Sequence, residues 1–363
     1  MRIPRPFIKT LFIMKHHRSP ILASIALLAM AFTASDLKAR EVQFPNPTQE
    51  NRKKELLELT GGRQVKVTWW QDGKVKYYDT NTDVVKVLPF AGNENKSLLL
   101  TSDGKYIVTS VGPAFSHRQI MAYDTETGKV IASPVGPENN LMAVWTDPET
   151  GKVWIYVNSN GDKKESWKAM AGPVYRFPLG EPEKRELFWD RTRSHLYLSF
   201  SADGSRACFQ PGWGNIGELK IAKKPDGQTD QDNSGYKKYG GGCFPSIAPD
   251  NSYRMFILHG SHREIMMYDE GGANPREIPV DGMLKNPHSR RGGARSVWLT
   301  HWSTDARYLT LMGPEHDSEL HGVSQIFIGL FDDKFTEVEK WVQVSDFKDG
   351  KCRRSHAWVA PTK

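Results

Sequence analysis

Cysteine is scarce in this chain: Cys208, Cys243 and Cys352 are the only three among 363 residues. An odd count leaves at least one thiol free, and the spacings fit no zinc motif. The three read best as small buried residues. Long apolar runs are also missing. The strongest, from Ile21 to Phe32, is too short to span a bilayer. There is no Walker loop, dinucleotide fingerprint or nucleophile elbow, so no standard motif announces a reaction.

Charge of one sign is missing too, once the N-terminus is set aside. Arg2, Arg5, Lys9, Lys15 and Arg18 precede the apolar run, and Ala29-Met30-Ala31 or Leu37-Lys38-Ala39 follows it. This is the pattern of an export signal, expected over residues 1–39, with periplasmic or secreted as the expected location. Met14 would start a shorter signal by itself. Removing those residues leaves 43 basic against 41 acidic residues. The high isoelectric point therefore belongs mostly to the signal, and a nucleic-acid partner loses its support. Stable membrane insertion after cleavage is not expected, and neither is a lipid anchor.

What is abundant is glycine (31), proline (22) and tryptophan (11), as suits short strands joined by tight turns. Two peptides 145 positions apart are nearly identical: Ser116-His117-Arg118-Gln119-Ile120-Met121-Ala122-Tyr123-Asp124 and Ser261-His262-Arg263-Glu264-Ile265-Met266-Met267-Tyr268-Asp269. Such self-similarity means repeated structural units. An apolar run ending in a turn aspartate recurs at Asp103, Asp147, Asp203, Asp250 and Asp305. Each is followed by a β-rich run, a third strand and, in most units, a fourth. Four short strands per unit at this spacing is the period of a β-propeller blade. Val65–Trp70, Val75–Asp79 and Val84–Leu88 supply three more strands, and Ser355–Pro361 a lone last one. The expected fold is all-β: a six-bladed propeller over 63–361. In it the C-terminal strand joins three N-terminal strands and leaves few free edges. An extension over 40–62 carries a short helix, from Thr48 to Thr60.

These motifs, an inner strand ending Ser-x-Asp-Gly and a later strand ending Tyr-Asp, resemble the TolB-like and WD-type propeller repeats of exported bacterial proteins. Gly242–Asp250 and His301–Asp305 also look like propellers of polysaccharide-degrading marine bacteria. The resemblance implies the fold; such propellers host binding modules, peptidase accessory domains and lyases alike.

The repeat also sorts residues by face. The short hairpin turns hold Ser102-Asp103-Gly104 and Ala202-Asp203-Gly204, which are turn residues first. The opposite side carries Arg191, Arg193 and His195; Lys237 and Lys238; His288, Arg290, Arg291 and Arg295; and Arg353, Arg354 and His356. Its loops add His117 and Arg118, Trp213, His259, His262 and Arg263, His316 and His321. Of nine histidines beyond position 39, eight fall there; only His301 sits within an inner strand. Arginine offers a planar fork matched to carboxylate or sulfate, and histidine can act as a base near neutral pH. Ordinary solvated loop charges would give the same composition.

The ligand-binding candidates are His117, Arg118, Arg193, His195, Trp213, His262, Arg263, Arg291, Arg295, Arg354 and His356. His316-x4-His321 matches no standard metal motif, so no metal or other cofactor is expected. The first functional expectation is a binding module for an anionic oligosaccharide, uronate- or sulfate-bearing, or for a protein partner. A polysaccharide lyase with His117, His262 or His356 as base is the alternative. An envelope interaction scaffold with no small ligand is the third.

Overall fold

The computed structural model describes residues 49–91, 97–114, 117–136, 139–158, 173–189, 198–210, 216–220, 237–280, 282, 296–315, 324–345 and 352–362. Among them the strands pair into six four-stranded antiparallel sheets. The first in chain order is β1 (Val65–Gln71), β2 (Lys74–Asp79) and β3 (Val84–Ala91). Next come β4 (Leu98–Leu100), β5 (Tyr106–Ala114), β6 (His117–Asp124) and β7 (Val130–Ala132). The third sheet holds β8 (Asn140–Thr146), β9 (Val153–Asn158), β10 (Val174–Pro178) and β11 (Glu186–Trp189). The fourth holds β12 (Leu198–Phe200), β13 (Arg206–Phe209), β14 (Ile216–Lys220) and β15 (Lys237–Tyr239). Then follow β16 (Cys243–Ile247), β17 (Met255–Leu258), β18 (Glu264–Asp269) and β19 (Ala273–Pro279). The last full set is β20 (Ser296–Trp302), β21 (Tyr308–Glu315), β22 (Gln325–Phe331) and β23 (Val338–Gln343).

Among the described residues the fold is an all-β propeller with one short α-helix. Strand β24 (Cys352–Val359) leaves the C-terminal end and pairs antiparallel with β1, setting Val65 opposite Val359 and Thr68 opposite His356. The chain therefore joins its two ends inside one sheet. One strand of each sheet, β24, β4, β8, β12, β16 and β20, lines a common central cavity. These are the inner strands. The twin peptides occupy the same position in their sheets, as third strands β6 and β18.

Packing between sheets uses a repeated device. An inner-strand tryptophan reaches a neighbouring sheet and donates its indole N–H to a backbone carbonyl, at a hairpin turn for Trp358 and Trp145 and within strand β16 for Trp302. Trp358 donates to Ser102 O at 2.9 Å, Trp145 to Ser201 O and Ala202 O at 3.2 Å, and Trp302 to Ser246 O at 3.3 Å. This explains the glycine of two Asp-Gly turns. Gly104 (φ +68°) and Gly204 (φ +70°) lie under the indoles of Trp358 and Trp145, where a Cβ would come within 2.5 Å of the ring. Glycine is needed there both for left-handed backbone and for space.

The helix α1 (Gln49–Leu59) covers a seam. Leu56 and Leu59 are buried among Val65, Val67, Tyr78, Ile328 and Val342, which come from the closing sheet and its neighbour. Arg63, just past the helix, pins the junction. It pairs with the turn carboxylate Asp305 at 2.6 Å and donates to Tyr308 Oη at 2.7 Å, Ala360 O at 3.2 Å and Thr60 O at 3.0 Å. No helix among the described residues is long and apolar enough to cross a membrane. Residues 1–48, with the expected signal, lie outside the described residues.

All three cysteines are free, and Cys208 and Cys352 are the small buried residues expected, with Cys243 half-buried. Burial, and after it the charge of Glu218, pushes the Cys208 thiol well above its usual range. Lys237 and Lys238 do not precede an inner strand. They lie on β15, the strand of its sheet most remote from the cavity, where Lys237 Nζ donates to Gly271 O. The segment before them is a connection to an outer strand, which hydropathy could not distinguish from a connection to the next inner one.

Candidate binding channel

The inner strands surround a channel with two unlike ends. At their C-terminal ends, beside the hairpin turns, is a cavity of about 210 Å³. Trp145, Phe200, Ile247 and Trp302 form apolar wall, and Ser102, Ser201, Ser303 and Thr304 add hydroxyl-bearing side chains. The turn residues expected to be purely structural therefore line the larger space. At the N-terminal ends is a second cavity of about 30 Å³, edged by Ser97, Thr300, Ser355 and Arg354. His301 borders both.

His301 and His356 meet edge to face between the two ends, with ring centres 5.0 Å apart. Their tautomers follow from fixed backbone partners. The Leu100 N–H donates to His356 Nδ1 at 3.0 Å, so that nitrogen carries a lone pair and Nε2 carries the proton. His301 Nδ1 lies 2.8 Å from the Trp302 carbonyl. A carbonyl only accepts, so here Nδ1 carries the proton and Nε2 the lone pair. Burial, and secondarily His301, drives the His356 pKa well below its usual value. Burial lowers that of His301 too, partly opposed by its bond to Trp302 O. The channel thus holds one neutral donor ring and one neutral acceptor ring at pH 7.

Arg354 stands at the narrow end. Arg354 has φ +43°, uncommon for a non-glycine residue. It is the extra residue of a β-bulge: β24 pairs Trp69 with Ser355 and Trp70 with Arg353, skipping Arg354. Bulges re-aim side chains, and this one sets Arg354 on the wall of the smaller cavity. Strand β20 has a similar irregularity between Trp298 and His301, where Leu299 has φ +54° and lines the same cavity.

Arg118 is 1% exposed and donates through Nη1 to Asn140 Oδ1. Asn140 in turn donates to Asn158 Oδ1 at 2.9 Å, giving a buried polar chain behind the guanidinium. Burial first, and the like charge of Arg354 second, lower the Arg118 pKa to about 9. It remains protonated at neutral pH, and the two guanidinium groups repel.

Among the described residues, His262 and Arg263 do not join this pair. The twin peptides diverge at their first residues. Arg118 is buried within β6, whereas Arg263 is exposed just before β18. His262, at φ +56°, rests edge-on against Trp298 with centroids 4.7 Å apart. Burial lowers its pKa. His117 opens β6, and its backbone alone is described. Arg193, His195, Trp213, Arg291 and Arg295 lie outside the described residues, as do His316 and His321. His301, set apart in the sequence reading as an inner-strand residue, proves central. Its strand position was itself the available signal, because inner strands line the channel.

No family model matches this sequence, and no curated protein does either. Solved structures do match. A chain of a nidogen/laminin complex superposes with a TM-score of 0.52 at 9% identity, covering 82% of this chain and 100% of that one. A putative 6-phosphogluconolactonase from Bacteroides uniformis gives 0.44 at 13%, over 78% and 82% of the two chains. Regucalcin from Agrobacterium tumefaciens, a calcium-binding protein, gives 0.44 at 15%, over 77% and 89%. At 9% identity the first of these likenesses concerns the fold alone.

Proposed function

We propose that this chain is an exported binding module, a six-bladed TolB-like or WD-type propeller that holds an anionic ligand in its central channel. The anionic group lies at the Arg354 and Arg118 end, and a ring of the ligand lies in the larger cavity against Trp145 and Trp302. A uronate- or sulfate-bearing oligosaccharide has both parts. The observation that carries this reading is Arg354 in left-handed backbone at a bulge, beside the buried, like-charged Arg118. Strained backbone and unfavourable charge proximity both cost stability, and such costs concentrate where a ligand repays them.

The test is calorimetric titration of uronate, sulfated and neutral oligosaccharides into the full chain. Binding restricted to the anionic members, weakened about 10- to 100-fold in Arg354→Ala, supports the reading, since a charge-assisted hydrogen bond is worth roughly 1.5–3 kcal/mol. Equal affinity of wild type and Arg354→Ala, or preference for neutral glycans, refutes it.

A lyase reading has one observation in its favour, the lone pair on His301 Nε2. That nitrogen would take the proton α to a uronate carboxylate. The electron pair would form the new double bond as the β-oxygen leaves with the departing sugar. The unsaturated uronate absorbs in the ultraviolet. Absence of that absorbance across substrates that bind removes the lyase and leaves the binding module.

A further inference from the structure

A cluster of metal-ligand side chains lies on the sheet of β16 to β19, apart from the residues that line the two cavities. Strand β17 ends at Leu258, and β18 begins at Glu264. The His259 N–H donates to Glu264 O at 2.9 Å, and the His262 N–H donates to His259 O at 2.9 Å. This tight connection holds His259 and Glu264 side by side. Glu277, on the outermost strand β19, stands opposite Met266, two residues along from Glu264. Side chains alternate along a strand, so Glu264, Met266 and Glu277 share one face. The result is one imidazole and two carboxylates whose ligand atoms all lie within 4.8 Å of one another.

Two details separate this trio from a chance surface ion pair. His259 Nδ1 lies 3.1 Å from Glu264 Oε1. That nitrogen is nevertheless buried without a hydrogen-bond partner. The two atoms are close but not aimed at each other, as expected of ligands pointing to a common third point. The separation also fits. Ligand atoms around a tetrahedral ion with bonds of about 2.0 Å lie roughly 3.3 Å apart. Glu264 is oriented further by Ser261, whose hydroxyl donates to Oε1 at 3.2 Å. Such outer contacts steer metal-binding carboxylates. Glu277 is exposed, and a change of side-chain rotamer would bring its carboxylate nearer the other two ligands.

We infer that His259, Glu264 and Glu277 form a site for a first-row divalent cation, zinc being the best match, with water completing the coordination. An imidazole donor selects against calcium and magnesium, which take oxygen ligands. The site is independent of the channel, so its fate does not depend on the proposed ligand.

The experiment uses the full chain, stripped with chelator and titrated with zinc chloride. Cobalt(II) serves as a spectroscopic substitute. The expected result is a site of one equivalent whose affinity falls more than about 100-fold in His259→Ala. Glu277→Gln changes an exposed side chain without disturbing packing and should weaken binding at least about 10-fold. The cobalt visible bands should fade in both variants and persist in Arg354→Ala. Wild-type protein that takes up no stoichiometric zinc overturns the inference. So does zinc uptake that is unchanged in both His259→Ala and Glu277→Gln, which would place the ion elsewhere.

Discussion

His356 offers a direct test of the channel's electrostatics through stability. Its Nδ1 faces the Leu100 N–H, a donor. To take a second proton in the folded state, the ring would have to turn Nδ1 into a donor as well. That would set donor against donor inside a buried wall, next to His301. The unfolded chain carries no such restriction, and its imidazole titrates near pH 6.5. The sign follows. With the folded pKa depressed, His356 contributes stability that is fully present above about pH 6.5 and is lost as pH falls towards the folded pKa.

Between about pH 7.5 and pH 5.5 the loss from this residue comes to about 1.4 kcal/mol, one proton's worth of linkage. Glu55 works in the opposite direction. Burial raises its pKa to about 7, so the folded state binds a proton first and gains stability as pH falls from 7 towards 4.5. The absolute pH profile therefore mixes signs, and the comparison must be between wild type and His356→Gln. Equilibrium urea unfolding at constant ionic strength measures both. The stability advantage of wild type over the variant should shrink by about 1.4 kcal/mol across those two pH units. A difference that stays flat, or grows as pH falls, refutes the account of His356 as a buried neutral donor.

Glu55→Gln removes a raised carboxylate and should stabilise the protein at pH 8 by about 1 kcal/mol, with the gain gone by pH 5. Gly204→Ala should cost about 3 kcal/mol, combining left-handed backbone with overlap on Trp145. Gly151→Ala has nearly the same φ, +68°, but nothing near its Cβ, so it should cost only about 1 kcal/mol; equal losses in urea unfolding would disprove the tryptophan packing. Arg63→Ala should lower stability by about 2–4 kcal/mol, since it strips Asp305, Tyr308 and Ala360 of a shared partner. Amide exchange should then quicken first in β1 and β24; uniform change across the sheets would show that Arg63 does not hold the closure.

Apart from β15, strand order was legible in the chain because it rests on local chemistry. Asp-Gly turns, β-branched runs and the Tyr-Asp ends of third strands each specify their own few residues, and their spacing repeats. Closure by a lone strand near His356 was legible too, because an unpaired last strand has only one economical partner. The site was legible only in part. Arg118, Arg354 and His356 were singled out, but they were grouped with Arg263 and His262, which the structure sets elsewhere.

Near-identical peptides suggested equivalent surroundings, and this failed at Arg118 and Arg263. The strands after them are equivalent, but the hairpins before them differ. In one copy the backbone pairs from Ala114 to His117; in the other a tight loop from His259 to Glu264 turns Arg263 outward. Sequence patterning thus established the all-β repeat, the turn chemistry and the pairing of the chain's ends, since each depends on neighbours along the chain. The bulge that aims Arg354, the tautomers of His301 and His356 and the meeting of His259 with Glu277 depend on strands brought together from separate positions. Those contacts come into being only when the sheets pack, and no local pattern encodes them.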